Sequence, residues 1–459
     1  MKNMTLQNIA TACQGQLVCQ KDQENIQIKG AVLDSRQVEE GYLFFATKGE
    51  RVDGHNFIPQ VAEKKAACVV CEKVPAGVEI PYILVEDSFV ALKKVAAFYR
   101  ENLTIPVVGI TGSVGKTSTK EMIASVLSQR YNVLKTEGNF NNEVGLPLTI
   151  LRIRDEHKVA VVEMGINHFG EMHRLSEIAK PDICVITNIG QCHLEFLGSR
   201  EGILKAKSEI FDFMNPEGYV CLNGDDDMLC TVKEVHEHKP VTYGFSMKND
   251  VYVTNTKNNG ILGSKASVYL NDATFDVEIP LPGEHMVMNA LAATCVGDLL
   301  GLKQEEIARG IESAKAVGGR SNLIVLKDRK ILDDCYNANP VSMKAAIDLL
   351  CLSDTRKVAI LGDMFELGDG CEEMHAGIGN YAVEKDIDVL VCVGELSSHM
   401  FDAATLKRTE LKKDVQIHYM KNTQEVIEKI DSILMKEDTI LVKASHGMGF
   451  AKVVEELKK

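Results

Sequence analysis

Short apolar runs alternate with stretches of helical periodicity along the chain, and the alternation falls into three blocks. In the first, Tyr42 to Ala46, Cys68 to Cys71 and Tyr82 to Val85 read as strands, and Phe89 to Arg100 reads as a closing helix. In the second, Pro106 to Ile110 is an apolar run typical of a buried parallel strand. A glycine-rich loop follows, then a helix with Met122, Ile123, Val126 and Leu127 on one face. Val159 to Val162 and Ile183 to Ile186 are further buried strands, and the region around 250–280 is rich in hairpin signals. In the third block, runs at 330–334, 357–361, 388–393 and 439–442 alternate with helical patterns, as in a parallel α/β sheet. Asn339 is placed to cap a helix with Pro340 at its first position and Met343, Ile347 and Leu350 facing inward. The pattern predicts an α/β protein of three domains, 1–103, 104–315 and 316–459, with Gly318-Gly319-Arg320 as a flexible junction. At 459 residues the chain is too long for one core.

The second block carries the first chemistry. Thr111-Gly112-Ser113-Val114-Gly115-Lys116-Thr117-Ser118 lies between a buried strand and a helix, the context in which a phosphate-binding loop works. Loop N–H groups and the helix N-terminus face a polyanion, Lys116 reaches the outer phosphates, and the Thr117 hydroxyl is a ligand for Mg²⁺. The first glycine of the usual phosphate-loop pattern is replaced by Ile110. Glu163 ends the strand that starts at Val159, and open α/β sheets bind ligands at the carboxyl ends of their strands. A metal-holding acid belongs there, although a surface glutamate at a strand end is the plainer alternative.

Composition narrows the partners. Hydrophobic content of 45% and charged content of 25% are those of a soluble globular protein. A formal charge of −14 argues against nucleic-acid binding, which needs a basic face. Anionic ligands must then be met by local cations, which draws attention to Lys116, Arg36, Lys205, Lys207 and Arg320. The first residues lack a secretory apolar core and no apolar stretch is long enough to span a bilayer, so a cytoplasmic protein without membrane insertion is expected. Thirteen cysteines in such a chain point to free thiols in a reducing compartment. Cys68 and Cys71, three apart on one strand, face opposite sides and are poorly placed to share a metal.

Several motifs together resemble the Mur ligase superfamily, ATP-dependent enzymes that form amide bonds. They are T-G-S-V-G-K-T at 111–117, D-S-R-Q-V at 34–38, G-Y-L-F-F-A at 41–46 and D-G-H-N-F-I at 53–58. N-I-G-Q-C-H-L-E at 188–195, A-K-S-E-I at 206–210 and G-E-H-M-V-M-N-A-L-A-A at 283–293 follow. The third block adds D-D-C-Y-N-A-N-P at 333–340 and L-G-D-M-F-E-L-G at 361–368, which resemble the branch of the family that adds a dipeptide. The D-N-P-R of the branch that adds the third residue is missing. The resemblance implies a small N-terminal α/β domain for a uridine nucleotide, a central P-loop ATPase-like parallel sheet and a C-terminal Rossmann-like domain.

It further implies that ATP activates the carboxylate of a UDP-N-acetylmuramoyl tripeptide as an acyl phosphate. D-Ala-D-Ala then displaces phosphate, in cytoplasmic peptidoglycan precursor synthesis. Ser35 and Arg36 would lie near the uridine nucleotide. Asn141 and Asn142 would line the cleft toward the acceptor, although such asparagines also cap backbone groups. Tyr336 and Asn337 would meet substrate in the third domain. Asn289 would read the adenine, and Arg320 and Asp334 would complete the ATP site when the domains close. His193, which alone would pass for a structural histidine, becomes a metal ligand beside Glu163 and Thr117. Lys207, otherwise part of a solvated helix face, becomes a carbamylated lysine holding a second Mg²⁺. The sequence departs from the family pattern at Met286, Ser208 and His446. A monomer is expected. The alternatives are a sister ligase adding a single amino acid, or an ATP-binding regulatory module without ligase chemistry.

Overall fold

The computed structural model describes residues 1–459 apart from Arg51, Ala76, Val317 and Ser321. Its strands form three sheets. The first contains β1 (Gln16–Val18), β2 (Gly30–Val32), β3 (Tyr42–Phe45), β4 (Cys68–Cys71) and β5 (Tyr82–Leu84), in the order β1-β5-β4-β3-β2. Its pairs are parallel except β1 with β5. The three strands legible from apolar runs are β3, β4 and β5. The missed β1 and β2 are three-residue edge strands, too short for a periodic signal.

The second sheet has nine strands: β6 (Val107–Thr111), β7 (Val133–Lys135), β8 (Val159–Glu163), β9 (Ile183–Ile186), β10 (Tyr219–Asn223), β11 (Val241–Gly244), β12 (Val251–Asn258), β13 (Ser264–Leu270) and β14 (Ala273–Ile279). Their order is β14-β13-β12-β11-β10-β9-β6-β8-β7. β6, β8 and β9 are buried at every position, as their continuous apolar runs require of strands covered on both faces. β12, β13 and β14 are joined by antiparallel pairing and alternate more between buried and exposed residues.

The third sheet contains β15 (Asn322–Val325), β16 (Lys330–Asp333), β17 (Lys357–Gly362), β18 (Val389–Val393), β19 (Gln416–Met420) and β20 (Thr439–Lys443). The order is β15-β16-β20-β17-β18-β19, parallel except for the edge hairpin of β15 with β16. The four predicted runs became the four inner strands. The two edge strands escaped notice because their residues are largely half-exposed and mixed in polarity. Helix Pro340–Leu350 starts as predicted, with Asn339 accepting from Ser342 N and Pro340 at the first position. Met343, Ile347 and Leu350 are fully buried in the core of this sheet.

Contacts divide the chain into two compact units. One comprises Met1–Thr111, Arg130–Val185 and Lys207–Val220; the other comprises Gly112–Gln129, Ile186–Ala206 and Cys221–Lys459. Within the first, helix Ser88–Glu101 is tied to its neighbours by side chains at its end. Tyr99 Oη donates to Ile153 O at 2.6 Å, and the buried Arg100 pairs with Asp182 at 2.9 Å. Within the second, the turn between β12 and β13 inserts Ile261 among Met343, Ala346 and Leu350. All thirteen cysteines are free. Among the described residues no helix is long and apolar enough to cross a membrane.

Helices Cys371–Glu384 and Ser397–Leu411 approach so closely that a Cβ on Gly379 would lie 2.1 Å from the Met400 carbonyl oxygen. Backbone cannot yield as a flexible side chain can, so Gly379→Ala should destabilise the C-terminal sheet region by about 1–3 kcal/mol. Differential scanning calorimetry should show a lower-melting transition for the variant, and an unchanged thermogram would refute this packing.

Candidate active site

The phosphate loop begins where β6 ends. Gly112 has φ +148°, and a Cβ there would lie 1.9 Å from Thr187 Oγ1, so the position demands glycine on two counts. Thr187 and Asn188, which follow β9, hold the loop by its backbone. Ser113 N donates to Asn188 O and Val114 N to Asn188 Oδ1, both at 3.0 Å. Asn188 Nδ2 and Thr187 Oγ1 donate to Val114 O at 2.9 and 2.7 Å. Gly190 N donates to Ser113 Oγ. Two of the loop N–H groups expected to meet phosphate are thus committed to Asn188.

Helix Lys116–Leu127 starts directly after these tied residues. Its N-cap is Gly115, φ +86°, and no side chain caps it. A helix N-terminus without a side-chain cap, reached through a glycine, is a ready anion site. Lys116 folds back so that Nζ donates to Gly112 O at 2.9 Å. Thr117 is buried at the first turn, with Ser118 beside it in the sequence. Thr111 Oγ1, just before the loop, is buried and has no hydrogen-bond partner among the described residues. Asn289 is buried against this helix: its Oδ1 accepts from Thr119 Oγ1 at 2.8 Å, and Met286 Sδ lies 3.4 Å from its Nδ2. The amide expected to read adenine thus braces the helix that carries Lys116.

Glu163 pairs in register with Ile110 at the carboxyl end of the sheet, two residues before Gly112. It is buried, which sets aside the surface-glutamate alternative. Its N donates to Thr136 Oγ1, and its Oε1 accepts from Asn141 Nδ2 at 2.8 Å. Asn141 therefore orients this carboxylate. Asn142 instead caps helix Gly145–Leu151, its Oδ1 accepting from Val144 N and Gly145 N.

The two lysines of helix Arg200–Ser208 separate clearly: Lys205 is exposed and Lys207 is 1% exposed. A buried lysine is not part of a solvated face, because stripping water from an ammonium is costly. Glu209, next in that motif, accepts from Gly170 N and His173 N at the start of another helix. His193 has φ +54° and lies with Nδ1 3.4 Å from Glu366 Oε2.

In the third sheet region Arg320 stacks on Tyr336, its guanidinium carbon 4.1 Å from the ring centroid, and His446 lies on Tyr336 at 5.3 Å. Gly319 N donates to the buried Asp333, and Tyr336 N donates to Gly319 O, which fixes Arg320 beside the motif. Asp334 pairs with the buried Lys443 at 2.5 Å, and Lys443 also donates to Asn337 O. The sequence drew no attention to Lys443, and noted His446 only as a departure from the family pattern.

In the N-terminal region Ser35 is buried, whereas the Arg36 side chain is 85% exposed and lies in bidentate contact with Asp34. That guanidinium holds the Asp34 carboxyl below its ordinary range. D-G-H-N-F-I serves the fold: Asp53 caps the turn at His55 N and also holds His55 Nδ1, and His55 Nε2 accepts from Glu72 N.

Models of the family match in chain order. The Mur ligase family catalytic domain matches residues 27–108, the Mur ligase middle domain 110–297, and the Mur ligase glutamate ligase domain 319–446. The UDP-N-acetylmuramoyl-tripeptide–D-alanyl-D-alanine ligase of Bacillus subtilis is 38% identical, over 100% of this chain and 99% of its own. The chain belongs to the Mur ligase family. The enzyme of that name from Escherichia coli is 33% identical over the same shares. A crystal structure of MurF from Acinetobacter baumannii superposes with a TM-score of 0.89 at 34% identity, covering 99% of this chain and 98% of that one. The Thermotoga maritima MurF complex with ADP gives 0.80 at 30% identity, covering 94% and 97%.

Thr117, Glu163 and His193, expected as metal ligands, offer a hydroxyl, a carboxylate and an imidazole, and among the described residues no group of three His, Cys, Asp or Glu that could hold a metal ion occurs. Mg²⁺ is commonly held by one or two carboxylates together with substrate phosphates.

Glu143, in the asparagine-rich loop, bridges Arg174 and Lys93. Arg174 above all, with Lys93, holds its carboxyl below the ordinary value of 4.5, against the opposing effect of burial. Stability from this group is therefore fully present above that value and lost as pH falls through the lowered one. Glu143→Gln should cost on the order of 1 kcal/mol at pH 7, the pair being partly solvated. Urea denaturation should show the gap to wild type shrinking toward pH 3; a gap that is constant with pH would refute the ion-pair account.

Proposed function

We propose that this chain is the ATP-dependent ligase that joins D-Ala-D-Ala to a UDP-N-acetylmuramoyl tripeptide, in a cytoplasmic step of peptidoglycan precursor synthesis. The observation that carries the reading is similarity over the whole length to ligases of that name, with D-D-C-Y-N-A-N-P intact in the third block. The three divisions 1–103, 104–315 and 316–459 then take the uridine nucleotide, ATP and the incoming amine.

A carboxylate is a poor electrophile. The tripeptide's terminal carboxylate oxygen attacks the γ-phosphorus of ATP and ADP leaves, giving an acyl phosphate. The amine of D-Ala-D-Ala then attacks the acyl carbon, phosphate departs with the former carboxylate oxygen, and the amine loses its proton. The helix N-terminus at Gly115 and Lys116 offsets the phosphate charge, Lys116 turning from Gly112 O to the outer phosphates. Thr117 and Glu163, with Asn141 fixing the carboxylate, and His193 and Lys207 are the residues assigned to hold metal. Bound Mg²⁺ supplies charge neutralisation at the transferred phosphoryl group. Arg320, stacked on Tyr336, and Asp334, set by Lys443, close the nucleotide site from the third domain. Ser35 and Arg36 receive the uridine nucleotide, and Tyr336 and Asn337 face the peptide substrates.

The decisive assay supplies the UDP-muramoyl tripeptide with D-Ala-D-Ala, D-Ala or L-Lys and follows phosphate release and product mass. Dipeptide-dependent release with the matching mass gain is expected. Activity only with a single amino acid would move the chain to a sister branch, and ATP binding without turnover would make it a regulatory module. A site that pairs the dipeptide's amide and carboxylate leaves them unmet by a single residue, which is how polar sites discriminate strongly.

Lys207 is assigned as the carbamylated lysine, in which its amine nitrogen bonds CO₂ carbon with loss of a proton. Burial removes it from a solvated role and supports this reading. Protein equilibrated with ¹³C-bicarbonate should show one carbamate carbon resonance by NMR that is lost in Lys207→Ala. No such resonance in active wild type would overturn the assignment.

A further inference from the structure

The loop that follows β17 brings a carboxylate from the third sheet region to His193. Glu366 Oε2 lies 3.4 Å from His193 Nδ1, at ion-pair distance though outside hydrogen-bond geometry. Both residues have left-handed backbones, φ +60° for Glu366 and +54° for His193. Neither is a glycine or asparagine, so each conformation costs free energy and persists because its surroundings impose it.

Those surroundings are well defined for Glu366. Met364 N donates to the buried His375 Nε2 at 2.9 Å, and Phe365 N donates to Ser445 Oγ at 2.8 Å. Asp363 is buried, accepts from Ser397 N and Oγ, and receives Ser445 N on its carbonyl. Three successive residues before Glu366 are thus fixed to three different elements. Gly368, also left-handed at φ +64°, lets the loop pass close to Glu195, where a Cβ would sit 3.5 Å from the Glu195 Cα. The Ile261 turn, buried beside helix Pro340–Leu350, provides an apolar contact between the central hairpins and the same sheet region.

We propose that Glu366 is a positioning residue for the metal site: its carboxylate orients the His193 ring through Nδ1. A histidine that ligates a metal through one nitrogen commonly donates the other N–H to a carboxylate, which fixes the tautomer and raises the basicity of the ligating atom. A carboxylate beside Nδ1 favours the proton on that nitrogen, which leaves the lone pair on Nε2. The third domain then contributes to metal affinity as well as to substrate binding. The inference rests on the assignment of His193 as a metal ligand made under Proposed function.

The test measures Mn²⁺ binding by electron paramagnetic resonance, in the presence of a non-hydrolysable ATP analogue, for wild type, His193→Ala, Glu366→Gln and Glu366→Gly. Melting temperatures without metal are taken for all four. His193→Ala should lose one class of bound ion. Both Glu366 variants should bind that same ion about ten- to hundredfold more weakly. Glu366→Gly, which also relieves the left-handed backbone, should melt at or above the wild-type temperature while losing affinity, a combination that a merely structural role would not give. Wild-type Mn²⁺ affinity in both Glu366 variants, with the ion lost in His193→Ala, overturns the inference and leaves the ligand assignment standing. An affinity loss that appears only with a lowered melting temperature also overturns it. A full complement of ions in His193→Ala overturns the ligand assignment, and the inference with it.

Discussion

The Val114 peptide is held on both its sides, its N–H by Asn188 Oδ1 and its carbonyl by Asn188 Nδ2 and Thr187 Oγ1. This clamp sets the path of the phosphate loop. Thr187 stands where a Cβ on residue 112 would have to be, so the clamp and the glycine require each other. With the loop fixed by its own backbone, the helix from Lys116 starts on Gly115 and has no side-chain cap. A helix N-terminus of this kind is one to which anions bind readily. Asn289 completes the support from the far side by bonding Thr119. The loop is thus held in place by contacts within the chain.

Residues that look alike in the motifs divide between chemistry and support. Asn141 holds the Glu163 carboxylate, while its neighbour Asn142 caps a helix. Lys207 is buried and Lys205 is exposed on one short helix. Asp53 and His55 spend their polar atoms on each other and on nearby backbone. Asp334 is set by Lys443, which in turn fixes Asn337 O, so one buried ammonium orders two members of the D-D-C-Y-N-A-N-P motif. Polar groups tied in this way are held in one arrangement by the fold itself.

The departures from the family pattern also acquire local explanations. Met286 places its sulfur near the amide of Asn289 and is itself buried, so the position serves the packing of helix Glu284–Leu299. His446 follows Ser445, whose hydroxyl accepts from Phe365 N, and its ring lies against Tyr336. The ring at 446 thus packs at a tilt on the same Tyr336 that Arg320 covers.

The sequence by itself determined the α/β class, the four inner strands of the third sheet, the buried strands β6, β8 and β9, the glycine-rich turn into helix Lys116–Leu127 and the helix cap at Asn339. Each of these depends on neighbours close in the chain: continuous apolar runs, a glycine before a lysine, an asparagine before a proline. Edge strands β1, β2, β7, β15 and β19 were not legible, because a strand paired on one side needs no continuous apolar run, and the inner strands β10 and β11 were missed as well. Roles that depend on distant partners were decided only by the tertiary structure. Asn188 clamps a loop 74 positions away, Lys443 reaches Asp334 across 109, and Glu366 meets His193 from another sheet. A motif records which residue types are present. Which of them are free for a ligand and which are spent on the fold depends on where the rest of the chain brings its own donors and acceptors.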